Sequence, residues 1–505
     1  MNHVLCGLAA NAALPPELVD QLVEVADAEI AADLARRTDL SHAQAVALAS
    51  RVEESAAWLA YEGHLTIADI DPAAQPHAAL ALLCEGVGSP RWARLFAADP
   101  VFERREKLAA CSSLPSDVVR TLAADADVRV VAELALWTTP GVAARLAGHP
   151  HAEVRRAAAA NQATPPSLLA ALLTGEGLPL ALRCRVCDRE ETPFVHDPHC
   201  PHNDCDLLPG DSCDGSHEST LHATRRMALQ NPATPTEAVI RFVNHPSVLL
   251  RWALASRSDL PSEVYGQLAM DPDPGVRADL AENPAIDEAL MRALSADRGH
   301  DVQRRLAHNP RVPLDVLTRL ARTTKIGTIL LPRIAAASCG EVAELAESPE
   351  PAARLLVAQR RDLPTAIRDA LATDPDAKVV NSIASHPGLS EAQLRAMVAR
   401  HGVHVIAMVA ANPDATPALL EDLTRHEQPP KKMFRAVARH RNATGPALQN
   451  CLADKQARPL AANHPALPPH VIAELLTYTD WQVAEAAAAN PSLPFAVMSA
   501  LVPQL

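Results

Sequence analysis

Aromatic residues make up only 3% of the 505-residue chain, and glycine is scarce at 18. A β-sandwich or barrel draws on β-branched and aromatic strands joined by glycine turns, so both shortages argue against one. They also leave no phosphate-cradling Gly-x-x-x-x-Gly-Lys-Ser/Thr loop, no Gly-x-Gly-x-x-Gly and no Gly-x-Ser-x-Gly elbow. No apolar run approaches ~18 residues, so no membrane helix is expected. The opening Met1-Asn2-His3-Val4-Leu5 lacks a basic leader, and a cytoplasmic protein is expected. Hydrophobic residues nevertheless reach 48% and prolines number 43. The apolar mass is therefore Ala, Leu and Val, and with 21% charged residues the composition excludes disorder.

The prolines belong to a repeat. Leu250-Arg-Trp-Ala-Leu-Ala-Ser-Arg257, Val276-Arg-Ala-Asp-Leu-Ala-Glu-Asn283-Pro and Val302-Gln-Arg-Arg-Leu-Ala-His-Asn309-Pro align, with the anchors Arg257, Asn283 and Asn309 spaced 26 residues apart. The anchor recurs at Asn11, Arg37, Glu62, Cys111, Trp137, Asn161 and Asn231, then at Arg360, His386, Asn412, His440, His464 and Asn490. Each unit reads as a helix stopped at the anchor, where Asn tolerates a left-handed backbone and Pro forbids extension. A proline then opens a second helix. An Asp-Pro-Asp turn such as Asp271-Pro272-Asp273 caps the next unit. Helices this short are unstable alone and must stack. The fold expected is all-α: an α-solenoid of ~26-residue two-helix repeats forming one elongated array.

The unit resembles the leucine-rich repeat variant family, with Val-Arg-x-x-Leu-Ala-x-Asn-Pro-x-Leu-Pro as the shared core. HEAT and armadillo arrays are near neighbours with longer units. The resemblance covers most of the chain outside residues 178–220 and is best at 221–325. It implies alternating α- and 3₁₀-helices in a right-handed superhelix, with no single function. Copies near Gly63–Val101 and Thr323–Pro349 depart from the pattern.

Residues 178–220 interrupt the rhythm and divide the chain into repeats 1–177, a Cys/His-rich insertion, and repeats 221–505. Cys184-x2-Cys187 and Cys200-x4-Cys205 lie twelve residues apart. One tight turn aims two thiolates at one ion, and a second pair completes a tetrahedron, so structural Zn²⁺ is the favoured occupant. The intervening sequence is too polar to fold by burial, and a metal cross-link would order it. Cys213-Asp-Gly-Ser-His217 resembles the motif of the CDGSH iron–sulfur family, which implies Cys213 and His217 as cluster ligands and an iron–sulfur cluster as the alternative cofactor. That family's Cys-x-Cys pair is missing upstream. The leucine-rich repeat variant family also includes a member with an iron–sulfur cluster, at its N-terminal end. His217 and His222 are five residues apart, off the spacing of a zinc-protease helix. The other cysteines, Cys6, Cys84, Cys111, Cys339 and Cys451, are expected as small buried core residues in a reducing compartment.

The net charge of −14 is uneven. Residues 1–150 hold 11 basic and 20 acidic side chains, 178–220 hold 3 and 9, and 221–325 hold 14 and 12. Arg155, Arg225, Arg251, Arg277, Arg354 and Arg458 stand six positions before their anchors. Such a ladder would serve either as a phosphate-binding stripe or as ion pairs, each Arg with the Asp of its own inter-repeat turn, Arg277 with Asp273 for instance; the second is favoured. Trp137 and Trp252 are expected as core fillers. The combined expectation is a non-enzymatic scaffold for a protein partner. An iron–sulfur sensor is the alternative, and nucleic-acid binding through the arginine ladder the third reading.

Overall fold

A computed structural model describes residues 2–179, 181, 194–195, 212–213, 220–327, 329–427 and 429–503. Two short helices per repeat alternate along the chain, as in Val248–Ala255, Ser262–Leu268, Pro274–Glu282, Glu288–Leu294, His300–His308 and Leu314–Thr323. The Asp-Pro-Asp turn works as expected: Asp273 accepts from the Gly275 and Val276 amides at the start of Pro274–Glu282. Pro261 and Pro313 stand one residue before their helices with φ near −60°, which preorganises the entry. Val276, Leu280, Val302 and Leu306 are fully buried between layers. At roughly 1.5–3 kcal/mol per buried side chain, this packing makes helices of two turns persist.

The second helices are α-helical, and the 3₁₀ segments among the described residues are Ile240–Phe242 and Gly402–His404. That departs from the α/3₁₀ alternation implied by the leucine-rich repeat variant resemblance. The helices divide into two compact units, one of Ile70–Gly327 and one of Met1–Asp69 with Thr328–Leu505. Both divisions fall inside the two irregular copies of the repeat.

The anchors join the layers. In the unit Ile70–Gly327, Asn283 Nδ2 donates to the carbonyls of Ala255 and Arg257 at 2.8 and 2.6 Å. Asn309 does the same to Ala281 and Asn283, and Arg257 to Leu229 and Asn231. Asn Oδ1 meanwhile accepts from the amide two residues on, as at Ala285 and Arg311. The sequence reading of a left-handed stop is therefore corrected. Asn283 has φ −66° and ψ 122°, and Asn309 φ −63° and ψ 124°, both extended. The residue is required for its side chain, which completes the orphan carbonyls at the end of the preceding repeat's helix.

The rungs run on across the insertion. Asn231 donates to Ala159 and Asn161, so helices Ala152–Ala160 and Thr220–Gln230 stack as adjacent layers. Within the insertion, Phe194–Val195 and Ser212–Cys213 pair as short antiparallel strands.

In the second unit, Arg360, His386, Asn412, His440, His464 and Asn490 form successive rungs, and Asn11 then donates to Ala488 and Asn490. The first repeat thus stacks directly on the last, which an open-ended array does not anticipate. Gly7 is needed at this seam, because a Cβ there would collide with the Glu485 carbonyl.

Cys6, Cys111 and Cys451 are buried as expected, whereas Cys339 is exposed. Cys84 and Cys111 are not lone core residues: their sulfurs are bonded across adjacent repeats. Trp137 is not a core filler either. It is 61% exposed and donates its indole N–H to Glu133. Trp252 is the partial exception, half-buried with its ring against Gly275, where no Cβ would fit.

Burial holds the His386 imidazole down, to about 4, with the nearby Arg361 and Arg368 adding to the effect. The unfolded imidazole binds its proton near pH 6.5, so between about 6.5 and 4 the unfolded chain holds more protons. Stability is therefore full above that window and falls as pH drops through it. We expect His386→Asn, which keeps the donor without the titrating ring, to lose less stability from pH 7 to 5. The difference should be on the order of 2 kcal/mol in urea unfolding.

Candidate partner-binding groove and the arginine ladder

In the unit Ile70–Gly327, the first helices of four layers stack side by side: Phe102–Ala109, Val128–Trp137, Ala152–Ala160 and Thr220–Gln230. Their outward faces line a groove of about 1390 Å³. The helical period places Glu153, Arg156, Ala157 and Ala160 on one such face. Small and apolar residues, Ala132, Leu136, Ala157, Ala160 and Met227, form much of the floor.

The groove carries an excess of carboxylates, with Glu106, Asp125, Asp127, Glu133 and Glu153 against Arg129 and Arg156. Several are tethered. Asp127 binds Arg129 at 2.7 Å and caps its helix through the Arg129 amide, and Arg129 holds its carboxyl below the usual range. Arg129 in turn lies over the Phe102 ring at 3.5 Å. Glu153 binds Arg156 at 3.0 Å, and Asp125 binds Arg105 from the preceding layer at 2.7 Å. Burial pushes the Glu106 carboxyl up and the His149 imidazole down. Such a surface suits an extended segment with basic and small apolar side chains.

The arginine ladder is placed differently from either sequence expectation. Arg251 reaches Asp271 at 2.6 Å, Arg277 reaches Asp297 at 2.7 Å and Arg354 reaches Asp374 at 2.6 Å, each twenty residues on in the next turn. The proposed Arg277–Asp273 pair is replaced because Asp273 is occupied as a helix cap, while Arg277 Nη1 turns back to the Asp271 and Pro272 carbonyls. Arg105, which the sequence reading passed over, belongs to the same series through Asp125. Its signal was the Arg-to-Asp spacing of twenty residues. Arg155 binds the His149 and Pro179 carbonyls, tying the start of the insertion to the stack. Arg458 takes the Leu452 carbonyl and lies 5.1 Å from the Tyr478 ring. Arg225 is half-buried, with His245 at the position where the others find Asp.

The metal candidates Cys184, Cys187, Cys200, Cys205 and His217 lie outside the described residues, and Cys213 is described only by its backbone pairing. Among the described residues no group of His, Cys, Asp and Glu could hold a metal ion. No described helix is long and apolar enough to cross a membrane.

The fold and its rungs define an α-solenoid. No family model and no curated protein matches the chain. Among solved structures, an engineered protein is similar at 18% identity over 83% of this chain and 95% of its own, with TM-score 0.18. Importin beta is similar at 13% identity over 93% of this chain and 70% of its own, with TM-score 0.25. A Pds5–Scc1 complex is similar at 11% identity over 93% of this chain and 62% of that chain, with TM-score 0.13. At these scores the likenesses carry no argument about function, and the solenoid class rests on the helices and rungs themselves.

Proposed function

We propose that the protein is a non-enzymatic cytoplasmic scaffold that holds a basic segment of a protein partner in the groove along Phe102–Ala109, Val128–Trp137, Ala152–Ala160 and Thr220–Gln230. The carboxylate excess over an apolar floor carries this reading. Complementary charge would steer and orient the partner, and the floor would supply buried area. The repeat pattern supports kinship with leucine-rich repeat variant proteins. Nucleic acid is a poorer partner for the ladder Arg155, Arg251, Arg277 and Arg354, because their guanidinium groups are taken up between layers.

A Lys/Arg-rich peptide should bind the full chain by fluorescence anisotropy, more weakly as salt rises. Glu106→Gln/Glu133→Gln/Glu153→Gln should weaken it about tenfold or more, since each lost charge contact is worth up to ~1 kcal/mol. Unchanged affinity in that variant would contradict the groove reading.

For the insertion, the cysteine spacing supports a zinc module held by four of Cys184, Cys187, Cys200, Cys205, Cys213 and His217. The Cys213–His217 motif supports an iron–sulfur cluster as the second reading. Metal analysis of anaerobically purified full chain separates them. Stoichiometric zinc in a colourless sample is expected, and a brown sample bleached by reductant would replace zinc with the cluster.

A further inference from the structure

Cys111 occupies the anchor position of its repeat, where most other repeats carry Asn, His or Arg and two carry Glu62 and Trp137. An anchor elsewhere reaches back 26 and 28 residues to two carbonyls, as Asn309 reaches Asn283 and Ala281. The same reach from Cys111 brackets Cys84, 27 residues earlier at the end of helix Pro76–Cys84. The two Cα atoms are 4.4 Å apart and the sulfurs are bonded. The Cys111 sulfur lies 3.5 Å from the Lys107 carbonyl of the helix that precedes it and so does not reach the preceding layer's carbonyls as the Asn anchors do.

We infer that Cys84 and Cys111 form a reversible, oxidant-responsive lock that stands in for the hydrogen-bonded rung missing between these two layers. Cys84 is half-exposed and Cys111 is buried, so Cys84 is the thiol that meets a soluble oxidant. With a small-molecule disulfide, the Cys84 thiolate attacks one sulfur and expels a thiolate. Cys111, losing its proton, then attacks the mixed disulfide and expels the second. Two protein thiols become one disulfide while the reagent's disulfide becomes two thiols. The bond ties helix Phe102–Ala109 to the layer before it, and reduction leaves that junction without the rung that the Asn, His and Arg anchors supply elsewhere. This inference does not depend on what the groove binds.

The test uses full chain equilibrated with oxidised or reduced glutathione. Oxidation should yield a Cys84–Cys111-linked peptide in a non-reducing digest and slow hydrogen exchange across 102–111. Reduction should remove the link and speed that exchange. Cys84→Ser should lose the response, which controls for cysteines elsewhere. Cys111→Asn, which restores an amide donor, should show slow exchange in both conditions. If no linked peptide forms under oxidised glutathione, the lock is overturned. It is equally overturned if the link forms and exchange across 102–111 is unchanged.

Discussion

The side-chain N–H of the Asn, His and Arg anchors, donated back to carbonyls at the end of the preceding repeat's first helix, is the contact on which the remaining structure depends. Every α-helix ends with carbonyls it cannot satisfy itself. Here the helices run only two or three turns, so those ends are a large share of each repeat. The anchor of the next repeat completes them, and its own helix end waits for the repeat after. Stability is therefore shared between neighbours rather than held within a unit. A buried carbonyl left without this partner would cost about 1–3 kcal/mol.

Three kinds of side chain form the rungs, Asn, His and Arg, and their chemistry explains why they interchange. Asn and His each combine a donor with an acceptor. Asn412 and His440 donate to the previous layer and accept from the amide two residues on. Arginine has no acceptor, and at Arg37, Arg257 and Arg360 an aspartate stands two residues later and binds the guanidinium: Asp39, Asp259 and Asp362. The second ladder repeats the logic with charge. Arg251 and Asp271 are both nearly inaccessible and fully paired, so removing one partner would strand a buried charge.

The fold was legible because a spacing of 26 residues survives in single sequence, and because proline and Asp-Pro-Asp turns mark where helices start. What escaped was which atom each repeated residue uses. Asn309 suits a left-handed stop and a side-chain donor equally well on paper, and only its φ of −63° decides. Arg277 has an aspartate four residues before and another twenty after, and the nearer one was already engaged as a cap. Periodicity is local, so it carries no sign that Asn11 meets Asn490, although glycine at position 7 was a faint one. The groove was hidden for another reason. Its carboxylates come from three helices and the turn before one of them, whose outer faces each read as ordinary solvated surface, and only stacking gathers them.

Asn309→Asp is the sharpest test of the anchor's role, measured by urea unfolding of the full chain beside Asn309→Ala. Aspartate keeps the shape and the acceptor for the Arg311 amide, loses both donors, and sets a charge against the Ala281 and Asn283 carbonyls. The account predicts that Asp is at least as destabilising as Ala, by about 2–4 kcal/mol at neutral pH. An aspartate variant within about 0.5 kcal/mol of the natural chain would mean that the anchor only shapes the turn, and the central claim would fall.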